Sequence, residues 1–179
     1  MARVTILDKT FETSYPEQQI QAAVRNVADA INADLNGRDP LFLCILNGAF
    51  MFAADLMKLV NIPSRISFVK FASYSGTQST GVVKQLIGLN EDLTGRTVVL
   101  IEDIVDTGVT IKSLIQQCKD KGAADVRVAT MLFKPASCQL PTKPDYIGLE
   151  IPNDFIVGYG LDYDQEGRNL RDIYTIVEE

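Results

Sequence analysis

Apolar residues near the start of the chain follow a helical period. Five of them recur at steps of three or four: Ile20, Val24, Val27, Ile31 and Leu35. Ser14 precedes Glu17 by three residues, the spacing of a capping box, and Asn36-Gly37 is typical of a helix end. The pattern predicts an amphipathic first helix that begins just after Ser14 and ends at Asn36-Gly37.

Short apolar runs alternate with helix-like stretches further along the chain. The runs predict strands over Leu41 to Leu46, Arg65 to Tyr74, Thr97 to Ile101 and Val126 to Phe133. The stretches between them predict helices from Phe50 to about Val60 and from about Thr110 to Lys121.

Strands that alternate with helices indicate βαβ units and a parallel sheet buried on both faces. We therefore predict an α/β fold, doubly wound around a mainly parallel sheet, in one domain over residues 1–179. The segment from Tyr146 to Tyr174 is expected to form further strands and loops that close over the sheet. Ligands of such sheets bind beyond the carboxyl ends of the strands, so candidate chemistry is sought there.

Composition restricts that chemistry. The chain has 17 basic and 23 acidic residues, a net charge of −6 and a pI near 4.7, which argues against a nucleic-acid partner. There is no apolar run of the ~20 residues that cross a bilayer and no secretory signal pattern, so a cytoplasmic location is expected. Cys44, Cys118 and Cys138 lack metal-site spacing and are expected to be reduced.

Histidine is absent from the chain. The commonest general base and transition-metal ligand is therefore missing, and catalysis must use carboxylates, lysine, tyrosine, backbone amides or a metal with oxygen ligands. Magnesium fits that requirement.

The most informative segment is VVLIEDIVDTGVT, from Val98 to Thr110. Glu102 and Asp103 follow an apolar run, and two adjacent carboxylates there repel each other unless hydroxyls or a cation meet them. Ribose hydroxyls can do so. The turn that follows offers backbone amides, a glycine and hydroxyls at a helix start, an anion site suited to a 5′-phosphate; its residues are Asp106, Thr107, Gly108, Val109 and Thr110.

This segment resembles the phosphoribosyl pyrophosphate-binding motif of the type I phosphoribosyltransferases. An acidic, capped strand-to-helix turn without a ligand is the alternative. The chain has neither the Gly-Lys-Ser/Thr of a Walker loop nor a GxGxxG after a strand, so ATPase and dinucleotide-binding functions are not indicated.

Other segments resemble the hypoxanthine-guanine branch of that family. Asn47 and Gly48 match the loop that binds pyrophosphate through backbone amides, although many members carry a basic residue where this chain has Asn47. Ser73 and Tyr74 match the Ser-Tyr pair of a flexible loop that folds over the site. Taken alone, these segments would be an ordinary turn and a polar hairpin.

The resemblance also implies a purine site. Lys134 would donate to a 6-oxo group, which favours hypoxanthine or guanine over adenine, and Phe155 and Ile156 would stack on and read the base. Asp162 would lie near the purine and the magnesium ion, and Arg168 would contact pyrophosphate. Taken alone, Lys134 would be solvated, Phe155 a core residue and Arg168 a surface charge.

The implied activity is magnesium-dependent transfer of a phosphoribosyl group from phosphoribosyl pyrophosphate to hypoxanthine or guanine, with release of pyrophosphate. Asp106 would be the general base, and Glu102, Asp103 and Asp162 the candidate metal ligands. The family also implies a small hood formed largely by the C-terminal segment and a homodimer or homotetramer. Alternatives are a xanthine- or guanine-preferring transferase, a nucleic-acid-binding regulator that keeps the pocket, and a catalytically silent nucleotide-binding module.

Overall fold

A computed structural model describes residues 2–71 and 85–177. It contains three helices, α1 (Glu17–Asp34), α2 (Phe50–Leu59) and α3 (Val109–Asp120). Its strands in chain order are β1 (Arg3–Ile6), β2 (Lys9–Tyr15), β3 (Leu41–Leu46), β4 (Arg65–Phe71), β5 (Gln85–Ile87), β6 (Thr97–Val105), β7 (Asp125–Phe133), β8 (Tyr146–Glu150), β9 (Ile156–Val157) and β10 (Ile173–Ile176).

The larger sheet has the order β5-β4-β3-β6-β7-β8. Its last five strands pair in parallel, and β5 pairs antiparallel with β4 at the edge. This sheet confirms the α/β fold class with a mainly parallel sheet. The carboxyl ends of β4, β3, β6 and β7 lie side by side, so the residues that follow these strands meet at one edge.

Two apolar layers cover the larger sheet. Phe42 and Cys44 of β3 belong to the layer that contains α1 and α2, and Leu41, Leu43 and Ile45 belong to the layer that contains α3. Both faces of β3 are therefore buried, which explains why its sequence is apolar throughout rather than alternating. Cys44 is fully buried in this core, and burial raises the pKa of its thiol to about 12.

A second, antiparallel sheet has the order β1-β2-β10-β9. It forms the expected hood, but the N-terminal hairpin supplies two of its four strands, which the sequence patterns did not indicate. None of the described helices is both long enough and apolar enough to cross a membrane.

The predicted capping box is wrong. Ser14 lies inside β2, where its hydroxyl hydrogen-bonds the hydroxyl of Thr175, and α1 begins after Pro16 without a side-chain cap from that residue. The amide of Glu17 instead donates to Asp172 Oδ1 at 2.7 Å. The first turn of α1 is thus capped by a residue from the far end of the chain.

One predicted strand boundary also differs from the structure. The strand predicted to end at Ile101 continues as β6 through the acid pair to Val105. The predicted end of another strand at Tyr74 lies outside the described residues, since β4 is described up to Phe71. The other predicted strands and helices agree with the structure to within one or two residues.

Candidate functional site

Glu102 and Asp103 lie near the carboxyl end of β6. Glu102 is only 8% exposed, and the amide of Asp103 donates to Glu102 Oε1 at 3.2 Å. Burial and the neighbouring Asp103 carboxylate raise the pKa of Glu102 well above its usual range, and burial raises that of Asp103. The free protein therefore holds these acids at a cost in free energy that a cation or hydroxyl donors would relieve.

A cavity of about 230 Å³ opens beside the acid pair. Its lining is continuous in sequence and runs from Glu102 to Ile111. Gly108, with φ of +81°, precedes the first residue of α3, and the first amides of a helix have no partner within the helix. The cavity thus joins two carboxylates to a helix N-terminus, as expected of a site for a sugar and its phosphate.

A second cavity, of about 520 Å³, also borders the acid pair. It is lined by the backbone at Gly48 and by the polar or charged residues Asn47, Lys70, Glu102, Asp103, Asp162, Gln165 and Arg168. Glu102 and Asp103 line both cavities. The acid pair is therefore shared by a cavity at the start of α3 and a larger cavity that contains both basic and acidic side chains.

Gly48 brings the backbone of its loop against the acid pair. A Cβ at this position would lie 1.7 Å from Asp103 Oδ2, so no other residue fits without movement. Gly160, with φ of +99°, packs against the same loop, because a Cβ there would lie 2.1 Å from the Gly48 carbonyl oxygen. The peptide bond between Leu46 and Asn47, at the start of the loop that contains Gly48, is cis.

Arg168 is held at the rim of the larger cavity by three partners. Its guanidinium lies 2.8 Å from Asp162 Oδ1, donates to the Gly160 carbonyl at 2.8 Å and donates to Gln165 Oε1 at 3.2 Å. Asp162 Oδ2 also accepts the Gln165 amide at 2.8 Å. The segment that carries Asp162 and Arg168 is therefore fixed next to the Gly48 loop.

Asp106 follows β6 and Lys134 follows the adjacent strand β7, and the two side chains lie close together. Lys134 is 9% exposed, and its Nζ lies 3.5 Å from Asp106 Oδ2. Ser137 donates to Asp106 Oδ1 at 2.5 Å. The sequence patterns gave no reason to select Ser137, because a serine in a polar loop carries no distinctive signal.

Phe155 and Ile156 lie where the hood begins. Ile156 is buried in β9, whereas the Phe155 ring is 46% exposed. The Phe155 ring centroid lies 5.9 Å from that of Tyr163 and 6.2 Å from that of Phe11. The exposed face of this aromatic cluster is available to a planar ligand.

Of the predicted site residues, Ser73 and Tyr74 lie outside the described residues. Within residues 2–71 and 85–177, no three acidic or cysteine side chains are clustered closely enough to hold a metal alone. Glu102, Asp103 and Asp162 nevertheless line one cavity, and Mg²⁺ commonly takes one or two carboxylates and completes its shell with substrate oxygens and water. These donors suit a magnesium ion that arrives with a phosphorylated substrate.

Comparison with known proteins agrees with this geometry. Residues 13–164 match the family model described as phosphoribosyl transferase domain. The hypoxanthine-guanine phosphoribosyltransferase of Mycobacterium tuberculosis H37Rv is 38% identical over 166 residues, which cover 89% of this chain and 82% of that protein. A hypoxanthine-guanine phosphoribosyltransferase structure from Bacillus anthracis has a TM-score of 0.86 at 34% identity, covering 93% of this chain and 97% of that one. The Trypanosoma cruzi hypoxanthine phosphoribosyltransferase, solved with its product IMP, has a TM-score of 0.85 at 33% identity, covering 92% and 93% of the two chains. The chain therefore belongs to the phosphoribosyltransferase family.

Proposed function

We propose that the protein transfers the 5-phosphoribosyl group of phosphoribosyl pyrophosphate to hypoxanthine, and to guanine, giving IMP or GMP and pyrophosphate. One geometric observation carries the proposal beyond family membership: Glu102 and Asp103 line two cavities at once. The donor substrate has the same layout, with a 5′-phosphate at one end, a pyrophosphate at C1 and two ribose hydroxyls between them. The acid pair would bind the hydroxyls.

The two ends of phosphoribosyl pyrophosphate bind at different sites. The 5′-phosphate binds the amides and hydroxyls from Asp106 to Thr110, where the positive end of the α3 dipole favours an anion. The pyrophosphate occupies the larger cavity, against the backbone at Asn47 and Gly48 and beside Arg168.

The purine binds where Lys134 and Asp106 meet. On a 6-oxopurine, O6 and N7 are neighbouring atoms on one edge. Lys134 Nζ and Asp106 Oδ2 are 3.5 Å apart, so one group can donate to O6 while the other faces the imidazole ring. The purine ring stacks on the Phe155 side chain, and backbone groups near Ile156 hydrogen-bond the other edge of the purine.

The reaction breaks the bond between ribose C1 and pyrophosphate oxygen and forms a bond from C1 to a purine ring nitrogen. Glu102 and Asp103 oppose the positive charge that develops on the ribosyl ring, and Asp106 accepts the imidazole proton. Arg168 and the Gly48 loop amides receive the negative charge of the leaving pyrophosphate. A magnesium ion held by Asp162, Glu102 or Asp103 would supply further charge neutralisation for that group.

Pyrophosphate release from phosphoribosyl pyrophosphate tests the proposal. The purified protein is assayed with hypoxanthine, guanine, xanthine or adenine, each with and without magnesium. We expect magnesium-dependent turnover with hypoxanthine and guanine and little with adenine, whose 6-amino group cannot accept from Lys134. Xanthine as the best substrate would assign the other purine preference. Absence of turnover with every base would contradict the proposed activity, and equal turnover without magnesium would contradict the metal requirement.

A further inference from the structure

Lys70 lies at the carboxyl end of β4 and lines the larger cavity together with Arg168. We infer that Lys70 is a pyrophosphate-binding residue that supplies the cation which Asn47 does not. The inference rests on the proposed function, because it assigns a role within the proposed pyrophosphate pocket.

The order of the strands gives the cavity two differently charged flanks. β4 lies on one side of β3, and β6, with Glu102 and Asp103, lies on the other. Two strand spacings, about 10 Å, therefore separate the backbone at Lys70 from the acid pair. A ribose held at the acids would direct its C1 pyrophosphate across the end of β3 toward Lys70, since Gly48 forms the cavity wall between these flanks.

Arg168 and Lys70 are the two basic residues among the described residues that line this cavity. The guanidinium of Arg168 is already engaged with Asp162, the Gly160 carbonyl and Gln165. By contrast, within residues 2–71 and 85–177 no carboxylate oxygen lies within 4.0 Å of the Lys70 ammonium. Lys70 can therefore approach an added anion without giving up an ion pair to any of the described carboxylates.

Strand register places Lys70 beside the loop of Asn47 and Gly48. Lys70 pairs with Leu46 in the parallel β3–β4 ladder, and Asn47 is the residue that follows Leu46. The Asn47 side chain is neutral, and Arg168 in the same cavity is already paired with Asp162. A pyrophosphate that arrives with magnesium therefore gains from a second basic side chain, and Lys70 is in position to provide it.

The test compares the binding of two ligands to Lys70→Gln. Titration calorimetry at a fixed excess of magnesium measures the affinity for pyrophosphate and, separately, for IMP, which has no pyrophosphate group. We expect pyrophosphate to bind ~10- to 100-fold more weakly, the loss expected for one charge-assisted hydrogen bond, with IMP affinity within twofold of wild type. Lys70→Arg should stay within a few-fold of wild type for both ligands.

Two further variants sharpen the result. Lys119→Gln removes the same charge from an exposed lysine in the last turn of α3 and should leave pyrophosphate affinity unchanged. Asn47→Lys, added to Lys70→Gln, should recover much of the lost affinity by placing a cation on the adjacent strand end. Wild-type pyrophosphate affinity in Lys70→Gln, or an equal loss of IMP affinity, would overturn the inference. Failure of the wild-type protein to bind pyrophosphate at all would instead count against the proposed function.

Discussion

At the residue scale, the candidate base is held by two neighbours of different kinds. Lys134 offers Asp106 a buried ammonium, and Ser137 offers it a hydroxyl that also lies 2.9 Å from Asn153 Oδ1. A hydroxyl carries one proton, so Ser137 can donate to only one of these oxygens. Rotation of the Asn153 amide by 180° would let its nitrogen donate to Ser137, leaving the serine proton for Asp106.

Asp106→Asn tests the base directly. The amide keeps an oxygen that can accept from Ser137 but cannot take the purine proton, so turnover should fall by ~100- to 10,000-fold. The KM for phosphoribosyl pyrophosphate should change little. Steady-state kinetics with hypoxanthine measures both quantities, and a variant with wild-type turnover would remove Asp106 from the proton transfer.

Lys134→Gln tests the purine donor. Lys134 is buried, so water cannot easily replace its ammonium, and the KM for hypoxanthine should rise by ~10-fold or more. Lys143→Gln is the matched control, because Lys143 is exposed and its Nζ lies 2.8 Å from Glu150 Oε1. Neither residue lines the two cavities beside the acid pair. Unchanged kinetics with hypoxanthine in Lys134→Gln would contradict the assigned contact.

At the element scale, sequence patterns predicted the elements whose burial is simple. Strand β3 and the buried second half of β7 are mainly apolar because both faces of the sheet are covered, and α2 and α3 follow strands as in any βαβ unit. The end of β6 was mispredicted because Glu102 and Asp103 look like loop residues, although the ladder with β7 continues through them. The exception falls at the candidate site, where the fold tolerates buried carboxylates that local preference would place in solvent.

Asp55 of α2 hydrogen-bonds the turn next to the Gly48 loop, and no sequence pattern singled it out. Asp55 Oδ2 accepts the Tyr159 hydroxyl and the Gln21 amide, each at 2.8 Å, and Lys58 lies 2.7 Å from Oδ1. Tyr159 has φ of +51° and precedes Gly160, which packs on the Gly48 loop. The hydrogen bond from Tyr159 thus anchors a strained turn to the body of the protein.

Asp55→Asn should destabilise the protein in a pH-dependent way. Burial alone would raise the pKa of Asp55, but hydrogen bonds from Lys58, Gln21 and Tyr159 outweigh it and lower the pKa from 3.8. A lowered pKa in the folded state stabilises the protein above pH 3.8, and this stabilisation is lost as the pH falls through the folded-state value. The variant should lose about 1–3 kcal/mol in free energy of unfolding at pH 7.

Urea unfolding of Asp55→Asn and wild type between pH 7 and pH 3 measures that difference. The deficit should shrink toward the acid end of the range. Tyr159→Phe is the companion variant, because it removes one donor and leaves the carboxylate charged, so its deficit at pH 7 should be the smaller of the two. A deficit of Asp55→Asn that is constant across the pH range would show that the carboxylate charge is not what stabilises the turn.

At the scale of the whole molecule, the two ends of the chain build the hood together. β2 pairs with β10, and the amide of Glu17 is capped by Asp172, so contacts span more than 150 residues of sequence. Such pairings leave little local trace, since β9 has two residues and β10 has four. The contribution of the N-terminal hairpin could therefore not be predicted from the sequence, although the C-terminal segment does supply β9 and β10.

The N-terminal hairpin of the hood also contributes to the proposed purine site. Phe11, from the N-terminal hairpin, is completely buried and supports the exposed Phe155 ring and Tyr163, with centroids 6.2 and 6.1 Å away. Phe11→Leu keeps an apolar side chain but removes the aromatic contact, which is worth about 0.5–1.5 kcal/mol. We expect the KM for hypoxanthine to rise by roughly 2- to 10-fold, because Phe155 is less firmly held.

The KM for phosphoribosyl pyrophosphate should stay near wild type in Phe11→Leu, since Phe11, Phe155 and Tyr163 do not line the two cavities beside the acid pair. Tyr163→Phe is the control, because it keeps the ring beside Phe155 and loses only the hydroxyl that donates to Asp8 at 2.8 Å. Its KM for hypoxanthine should match wild type. An equal rise in KM for both substrates in Phe11→Leu would indicate a general loss of structure, and the N-terminal hairpin would then have no specific part in holding the base.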